Sequence, residues 1–504
     1  MLKWLGALVI MIVHPVAAQP IQVEIPGGAV EAEPSISMTM MPPLPLPSYD
    51  EATAGARLAA LDSGVAKARD PIAHAQARLL RAAFFAAHAR QEERLALTAL
   101  IGADEAKLAA RPPFDAEAKR RTARMEAALD RSIADLLVVA CDASDRSRGV
   151  GCRPDPALTS WASQDEALIQ LAWVLQVAKR DADAAQIFER IVVQHPQSRF
   201  AADAAIAVGE QAFSQVDLVR AEKMYTLGLA AQTPETRAFA RYKLAWVQFD
   251  LGRTAEAFES FAVVATVTGG APPTRISREA RKDLVRAYTG TAAAAHAVFE
   301  RIAPGQGLEL LVRLGQLWFE TGKHTEAALI FTEAMRLAPL DPRQCEWQAM
   351  ITRSAFATLG PPRIAVELER LHGALAKLRT VPTAELATCL DDTRDLTSKL
   401  IVQLEREARA TRDPTLLDLV DPLYGEMIAS FPLDAGRASM RGRRVESAWS
   451  RAELERKDPR RFWLIVVARC DEALDAHLEE PAREKELAVV RALARKRAAA
   501  PPRA

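Results

Sequence analysis

Cysteine is the residue type whose placement in this 504-residue chain first suggests chemistry. Five cysteines cannot all pair within one molecule, so at least one thiol stays free or pairs between molecules. Cys141 and Cys152 bracket a loop of Asp, Ser, Arg and Gly residues, and a disulfide across it would stabilise that link in an oxidising compartment. Cys345 and Cys389 lie on predicted helices separated by one helix, which stacking could bring together. Cys470 is then left over as a small apolar core residue. The alternative is that none of these thiols pairs. Catalytic constellations do not accompany the cysteines. There is no HExxH pair for zinc, no GxSxG nucleophile turn, no Walker phosphate loop and no CxxC. The eight histidines stand singly, as at His195, His296, His324 and His372, with no two at metal-ligand spacing. Gly149 and Gly151 lack the third glycine and the preceding strand of a dinucleotide site. Glu309 and Glu320 sit on a predicted helix without the recessed partner that acid–base catalysis needs. The expectation is no enzyme, no catalytic residue, no cofactor and no metal, with an enzyme hidden among helices as the alternative.

What remains is the chemistry of recognition, and the elements that would carry it repeat. Between Leu308 and Asp341 the landmarks are Leu311, Leu314, Gly315 and Trp318, then Ala327, Phe331, Ala334 and Pro339. Spacings of three and four put Leu311, Leu314 and Trp318 on one helix face, while Gly315 and Ala327 stay small where two helices touch. Upstream, a small residue again precedes an aromatic by four: Ala184 with Phe188, Ala221 with Tyr225, Ala257 with Phe261. The aromatics are separated by steps of 37 and 36 residues. Pro196 and Pro234 fall where a residue without an amide proton ends a helix at little cost. Ile276 to Ile302 is a degenerate copy with a shortened turn, keeping Leu284, Tyr288 and Phe299. Cys345–Leu359 and Ile364–Leu378 make a further pair, broken by Gly360, Pro361 and Pro362. These landmarks resemble the tetratricopeptide repeat, whose ~34-residue helix pairs stack because one pair cannot bury its apolar face alone. The competing expectation is an unrelated bundle of amphipathic helices.

The resemblance implies an all-α fold: a right-handed α-solenoid of tetratricopeptide type over 165–378. A helical hairpin or small bundle precedes it at 49–145, joined by a loop at 146–164. Divergent helical repeats and a cap follow at 379–490, then a basic disordered tail at 491–504. It also implies that partners lie along the concave face of the first helices. Carried over onto this sequence, that face holds Ile169, Trp173 and Val177, then Ile206, Glu210 and Phe213, then Tyr242, Trp246 and Phe249, and finally Val312, Gln316 and Phe319. Trp, Tyr and Phe on one side suit a docking peptide or helix. Large aromatics also fill cores, so an inward orientation is the competing reading. The Lys, Arg and Asn clamp that holds a C-terminal carboxylate in chaperone-binding members is missing.

The two ends bound the setting. Lys3, an apolar run from Trp4 to Val13, and Val16, Ala17 and Ala18 before Gln19 read as a secretory signal peptide over 1–18. The run is too short to span a bilayer; a buried N-terminal helix or uncleaved anchor is the alternative. Residues 19–48, rich in Pro, Gly and Met, are expected to be a disordered leader. No later stretch reaches ~20 uninterrupted apolar residues, so no transmembrane segment is expected in the mature chain. The expected location is the periplasm or outside the cell. With 65 basic and 65 acidic side chains the net charge is zero, which disfavours a nucleic-acid partner. Arg441, Arg443 and Arg444, and Arg495, Lys496 and Arg497, are local clusters that read as solvated surface or as a peripheral contact with anionic envelope components.

The chain resembles exported tetratricopeptide proteins of Gram-negative envelopes, which act as scaffolds for secretion, division or motility machines. A narrower likeness, to components of gliding-motility complexes, rests on Arg281–Tyr288 (RKDLVRAY), Gln344–Gln348 (QCEWQ) and the helix end at Tyr424–Pro432. The expected function is a non-enzymatic envelope scaffold that holds a partner protein or peptide in its groove. The alternative is a polysaccharide- or cell-wall-binding protein or enzyme activator.

Overall fold

Thr233 accepts a hydrogen bond from the Thr236 amide, and Pro234 fills the next position, where a missing N–H leaves nothing unsatisfied; a helix starts there. Asp217, Thr274 and Asp458 cap other helices in the same way. The computed structural model describes residues 44–105, 112–140, 155–159, 161–266, 274–379, 385–431, 437–476 and 481–500. The expected signal peptide, the leader through residue 43, the Cys141–Cys152 pairing and the tail from 501 lie outside the described residues. Among the described residues there is no strand. No helix there is long and apolar enough to cross a membrane. The chain divides after Thr289 into two compact units.

The N-terminal unit runs α1 (Glu51–Lys67), α2 (Pro71–Glu105), α3 (Pro112–Ala140), the single turn α4 (Pro156–Thr159), α5 (Gln164–Val177), α6 (Asp181–Gln194), α7 (Ala201–Ser214), α8 (Leu218–Gly228), α9 (Pro234–Asp250), α10 (Thr254–Ala265) and α11 (Arg275–Asp283). Helices α2 and α3 form the expected hairpin, and it is polar inside as well as apolar. Buried Asp135 on α3 takes Arg78 at 2.8 Å and Arg81 at 2.7 Å from α2, while buried Glu92 on α2 takes Arg121 at 3.1 Å. One apolar core continues from Ala82, Ala86 and Leu129 of this hairpin into Leu168, Leu171 and Trp173 of α5. Leu44 and Leu46, at the end of the stretch expected to be disordered, pack against that core. Tyr49 stacks on His88 with ring centroids 4.4 Å apart.

From α5 to α10 the small–aromatic pairs do what their spacing predicts. Ala184, Phe188, Ala221, Tyr225, Ala257 and Phe261 are all buried. Gly209 shows why the facing residue must be small: a methyl group there would lie 2.9 Å from the Tyr225 ring. Within each pair the turn is built alike. A backbone N–H bonds back five residues, from Arg180 to Leu175, Asp217 to Ala212 and Arg253 to Gln248, at 2.8 to 2.9 Å. The residue before each donor adopts the left-handed conformation, with φ of 60° at Lys179, 61° at Val216 and 77° at Gly252.

The C-terminal unit runs α12 (Ala292–Ile302), α13 (Gly307–Glu320), α14 (His324–Leu337), α15 (Gln344–Thr358), α16 (Pro361–Leu378), α17 (Glu385–Thr411), a 3-10 turn (Pro414–Asp418), α18 (Val420–Ser430), α19 (Arg437–Leu454), α20 (Pro459–Leu474) and α21 (Pro481–Ala499). The pair α13–α14 repeats the design seen upstream. A methyl group on Gly315 would meet Ile330 at 2.9 Å and Phe331 at 3.0 Å, Lys323 bonds back to Trp318, and Gly322 has φ 81°. Cys345 on α15 and Cys389 on α17 are joined by a disulfide with Cα atoms 5.8 Å apart. His372 on α16 is buried between Ser430 of α18 at 2.7 Å and Thr397 of α17 at 3.0 Å, and burial pushes its imidazole down to about 4. Cys470 is free and buried. Arg495, Lys496 and Arg497, expected in a disordered tail, lie on α21, which buries Leu487, Ala494 and Ala498 against α19 and α20. Periodic burial at positions 487, 494 and 498 explains why the helix continues through the basic cluster.

Candidate functional site: the first-helix face of the N-terminal unit

Side chains of α5, α7 and α9 meet on one face of the N-terminal unit. Gln176 comes from α5, Asp203, Ile206, Ala207 and Glu210 from α7, and Thr236 and Phe239 from α9; together they line a pocket of about 140 Å³. Positions 203, 206, 207 and 210 recur at three and four residues, which is how one helix turns a single stripe toward a neighbour. A second, wider cleft of about 570 Å³ adjoins it. That cleft is lined by Trp173, Gln176 and Val177 of α5, by Met125, Glu126, Leu129 and Asp130 of α3, and by Glu93 of α2. Gln176 belongs to both, so the two depressions lie side by side on this face.

A polar network stiffens the groove beside the smaller pocket. The Tyr225 hydroxyl donates to Glu210 Oε1 at 2.5 Å, and Lys243 Nζ lies 3.0 Å from Glu210 Oε2. Burial, and then the Glu210 carboxylate, push the Tyr225 hydroxyl far up, so it remains a donor. The Lys243 ammonium sits 5.5 Å from the Phe213 ring centroid and 5.4 Å from that of Phe239. Glu210 is thereby neutralised. Asp203 is not: it makes no ion pair or side-chain hydrogen bond among the described residues, and burial holds its carboxyl above the usual range.

The sequence-expected groove residues divide. Glu210 and Ile206 line the small pocket, and Trp173 and Val177 line the larger cleft. Phe213 is half-buried against Lys243. The rest correct the expectation of an aromatic docking stripe. Ile169, Tyr242 and Trp246 are fully buried, and Tyr242 donates to Asp283 Oδ2 at 2.7 Å. Trp246 packs edge-on against Phe261 and Phe249, at 5.7 and 6.0 Å between centroids, and Phe249 is half-buried. These rings are core because the following helices cover the face they occupy. Val312 and Phe319 are buried in α13 of the C-terminal unit, where Gln316 alone of the three is exposed. Sequence reasoning missed Gln176, Asp203, Phe239 and Lys243. The register could have found them, since Asp203 and Phe239 occupy the same position one 36-residue step apart.

The helix pairs that frame this groove also carry a family signature. Residues 166–198 and 239–266 match the tetratricopeptide repeat. These stretches cover α5–α6 and α9–α10, whose first helices form two walls of the pocket. The Leu308–Asp341 motif lies outside both matched stretches, although α13 and α14 pair as the tetratricopeptide repeat requires. No curated protein matches the chain. Among solved structures, a circular tandem repeat protein with novel repeat topology and enhanced subunit contact surfaces matches over 83% of this chain and 97% of its own, at 15% identity and a TM-score of 0.25. A score that low does not establish a shared fold.

Proposed function

We propose that this protein is a non-enzymatic scaffold that holds a segment of a partner protein along the groove of α3, α5, α7 and α9. The observation that carries this reading is the pocket of Gln176, Asp203, Ile206, Glu210 and Phe239, which shares Gln176 with the neighbouring cleft at Val177 and Met125. Such a groove offers apolar walls for anchors and fixed polar groups for orientation. Two features support an exported, envelope setting: the signal-peptide pattern of the first 18 residues, and the Cys345–Cys389 disulfide, which persists in oxidising compartments. The partner is then an envelope protein, within a secretion, division or motility complex. A polysaccharide ligand is less well supported, because sugar-stacking needs open aromatic faces and Trp173, Tyr242 and Trp246 are buried.

Placing the photocrosslinker p-benzoylphenylalanine at Gln176 in the full-length protein, in its native cells, tests the groove. A discrete crosslinked partner from Gln176, absent when the crosslinker replaces exposed Glu259 on α10, is the expected result. Equal labelling from both positions, or none from Gln176, would remove the groove as the binding face.

A further inference from the structure

We infer that the groove selects a cationic segment, with a lysine or arginine side chain of the partner entering the pocket beside Asp203. The inference rests on the groove reading above and adds the chemistry of the occupant. The pocket, at about 140 Å³, is much smaller than the neighbouring cleft, and Ile206 and Phe239 flank it with apolar surface suited to an aliphatic stem. Asp203 supplies the charge such a stem would carry its head toward. The other charged residue lining the pocket, Glu210, is already matched by Lys243 at 3.0 Å. Asp203 lies in the first turn of α7, where the helix dipole favours the anion. Asp203 is partly buried and makes no ion pair or side-chain hydrogen bond among the described residues, so a cation entering the pocket would give this desolvated carboxylate the pairing it lacks.

The adjoining cleft has the same character. Glu93, Glu126 and Asp130 line it and make no ion pair among the described residues, against only Lys179 and Arg180 at its rim, and Arg180 is already bonded to Asp183 at 2.8 Å. Met125 and Val177, both only partly buried, provide apolar surface beside these carboxylates. A segment alternating cationic and apolar side chains complements both depressions, and an acidic one meets repulsion at each.

Fluorescence anisotropy of the full-length protein with two labelled decapeptides, LKKLLKLLKK and LEELLELLEE, tests the inference. The lysine peptide is expected to bind and the glutamate peptide not. Asp203→Asn should weaken the lysine peptide about five- to tenfold, the worth of one charge-assisted contact in a partly desolvated site. Ala207→Gln, which fills the pocket with a neutral side chain, should weaken it at least as much, and Glu259→Gln should leave it unchanged. Unaltered circular dichroism shows that each variant folds. Undiminished binding to Asp203→Asn, or equal binding of the two peptides, would overturn the cationic anchor. The crosslink at Gln176 separates the two readings. A captured partner peptide free of Lys and Arg sinks the cationic anchor and leaves the groove standing, whereas failure of the crosslink sinks the groove itself.

Discussion

Between Gln164 and Ala265, neighbouring helices meet through apolar matter of matched size: Gly209 beneath the Tyr225 ring, Ala257 and Phe261 beside Tyr242 and Trp246. Between Val420 and Ala499 much of that task falls to guanidinium groups. Asp421 on α18 holds Arg444 of α19 and Arg469 of α20, both at 2.8 Å, and Arg451 reaches Asp418 at 2.6 Å while lying 3.7 Å over the Phe462 ring. Arg497 of α21 covers Trp449 and Trp463. The first region is joined by a term that depends on area and shape. The second adds terms that depend on charge, and so on salt and pH. Two ways of stacking helices coexist in one chain, and they should fail under different conditions.

The largest test removes a ring from the apolar region. Phe261→Ala empties a fully buried site and should destabilise the N-terminal unit by about 3–5 kcal/mol. Hydrogen exchange should report it as lost protection in α9 and α10 while α19–α21 stay protected. Equal loss in both units would contradict region-by-region stability.

Acid should act on the other unit. His372 is held at about 4 by burial, below the ~6.5 of a free imidazole. The unfolded chain therefore binds this proton at higher pH than the folded one. Its contribution is complete above about pH 6.5 and is lost as pH falls toward 4, by about 3 kcal/mol in all. Urea midpoints of the wild type and His372→Gln, compared at pH 7 and pH 4, measure it. The variant should lose less on acidification, and a decline identical to wild type would exclude His372 as the source.

The smallest effect sharpens the contrast most. Asp421→Asn should destabilise by about 1 kcal/mol in low salt, since its partners are partly exposed. That difference should shrink in 1 M salt, where the Debye length is about 3 Å, while the Phe261→Ala effect persists. Equal salt dependence of the two variants would erase the distinction.

The two modes also differ in how far they can be read from sequence. Ala184–Phe188, Ala221–Tyr225 and Ala257–Phe261 are legible because one physical demand recurs at one spacing. Asp421 meets arginines 23 and 48 residues away, and no period links them. The turns show the same divide within the repeats. Gly252 and Gly322 announce a left-handed residue, but Lys179 and Val216 adopt the same conformation without the residue type that signals it. The groove was legible only in part. Register placed Glu210 and Trp173 correctly on the first helices, but it could not say how far the next helix covers Tyr242 and Trp246. Asp203 was missed because its register position, shared with Phe239, says nothing of a pocket by itself; its meaning comes from the residues around it.

The Cys345–Cys389 bond has a mechanical consequence. It encloses α16 in a covalent ring whose two ends are 44 residues apart in sequence but only 5.8 Å apart in space. Tension applied to the chain on either side of this bond would pass through it instead of through α16. At about 3.4 Å of contour per residue, the ring withholds roughly 150 Å of extension until it is reduced. Redox state thus sets the maximum length to which this part of the molecule can be drawn out.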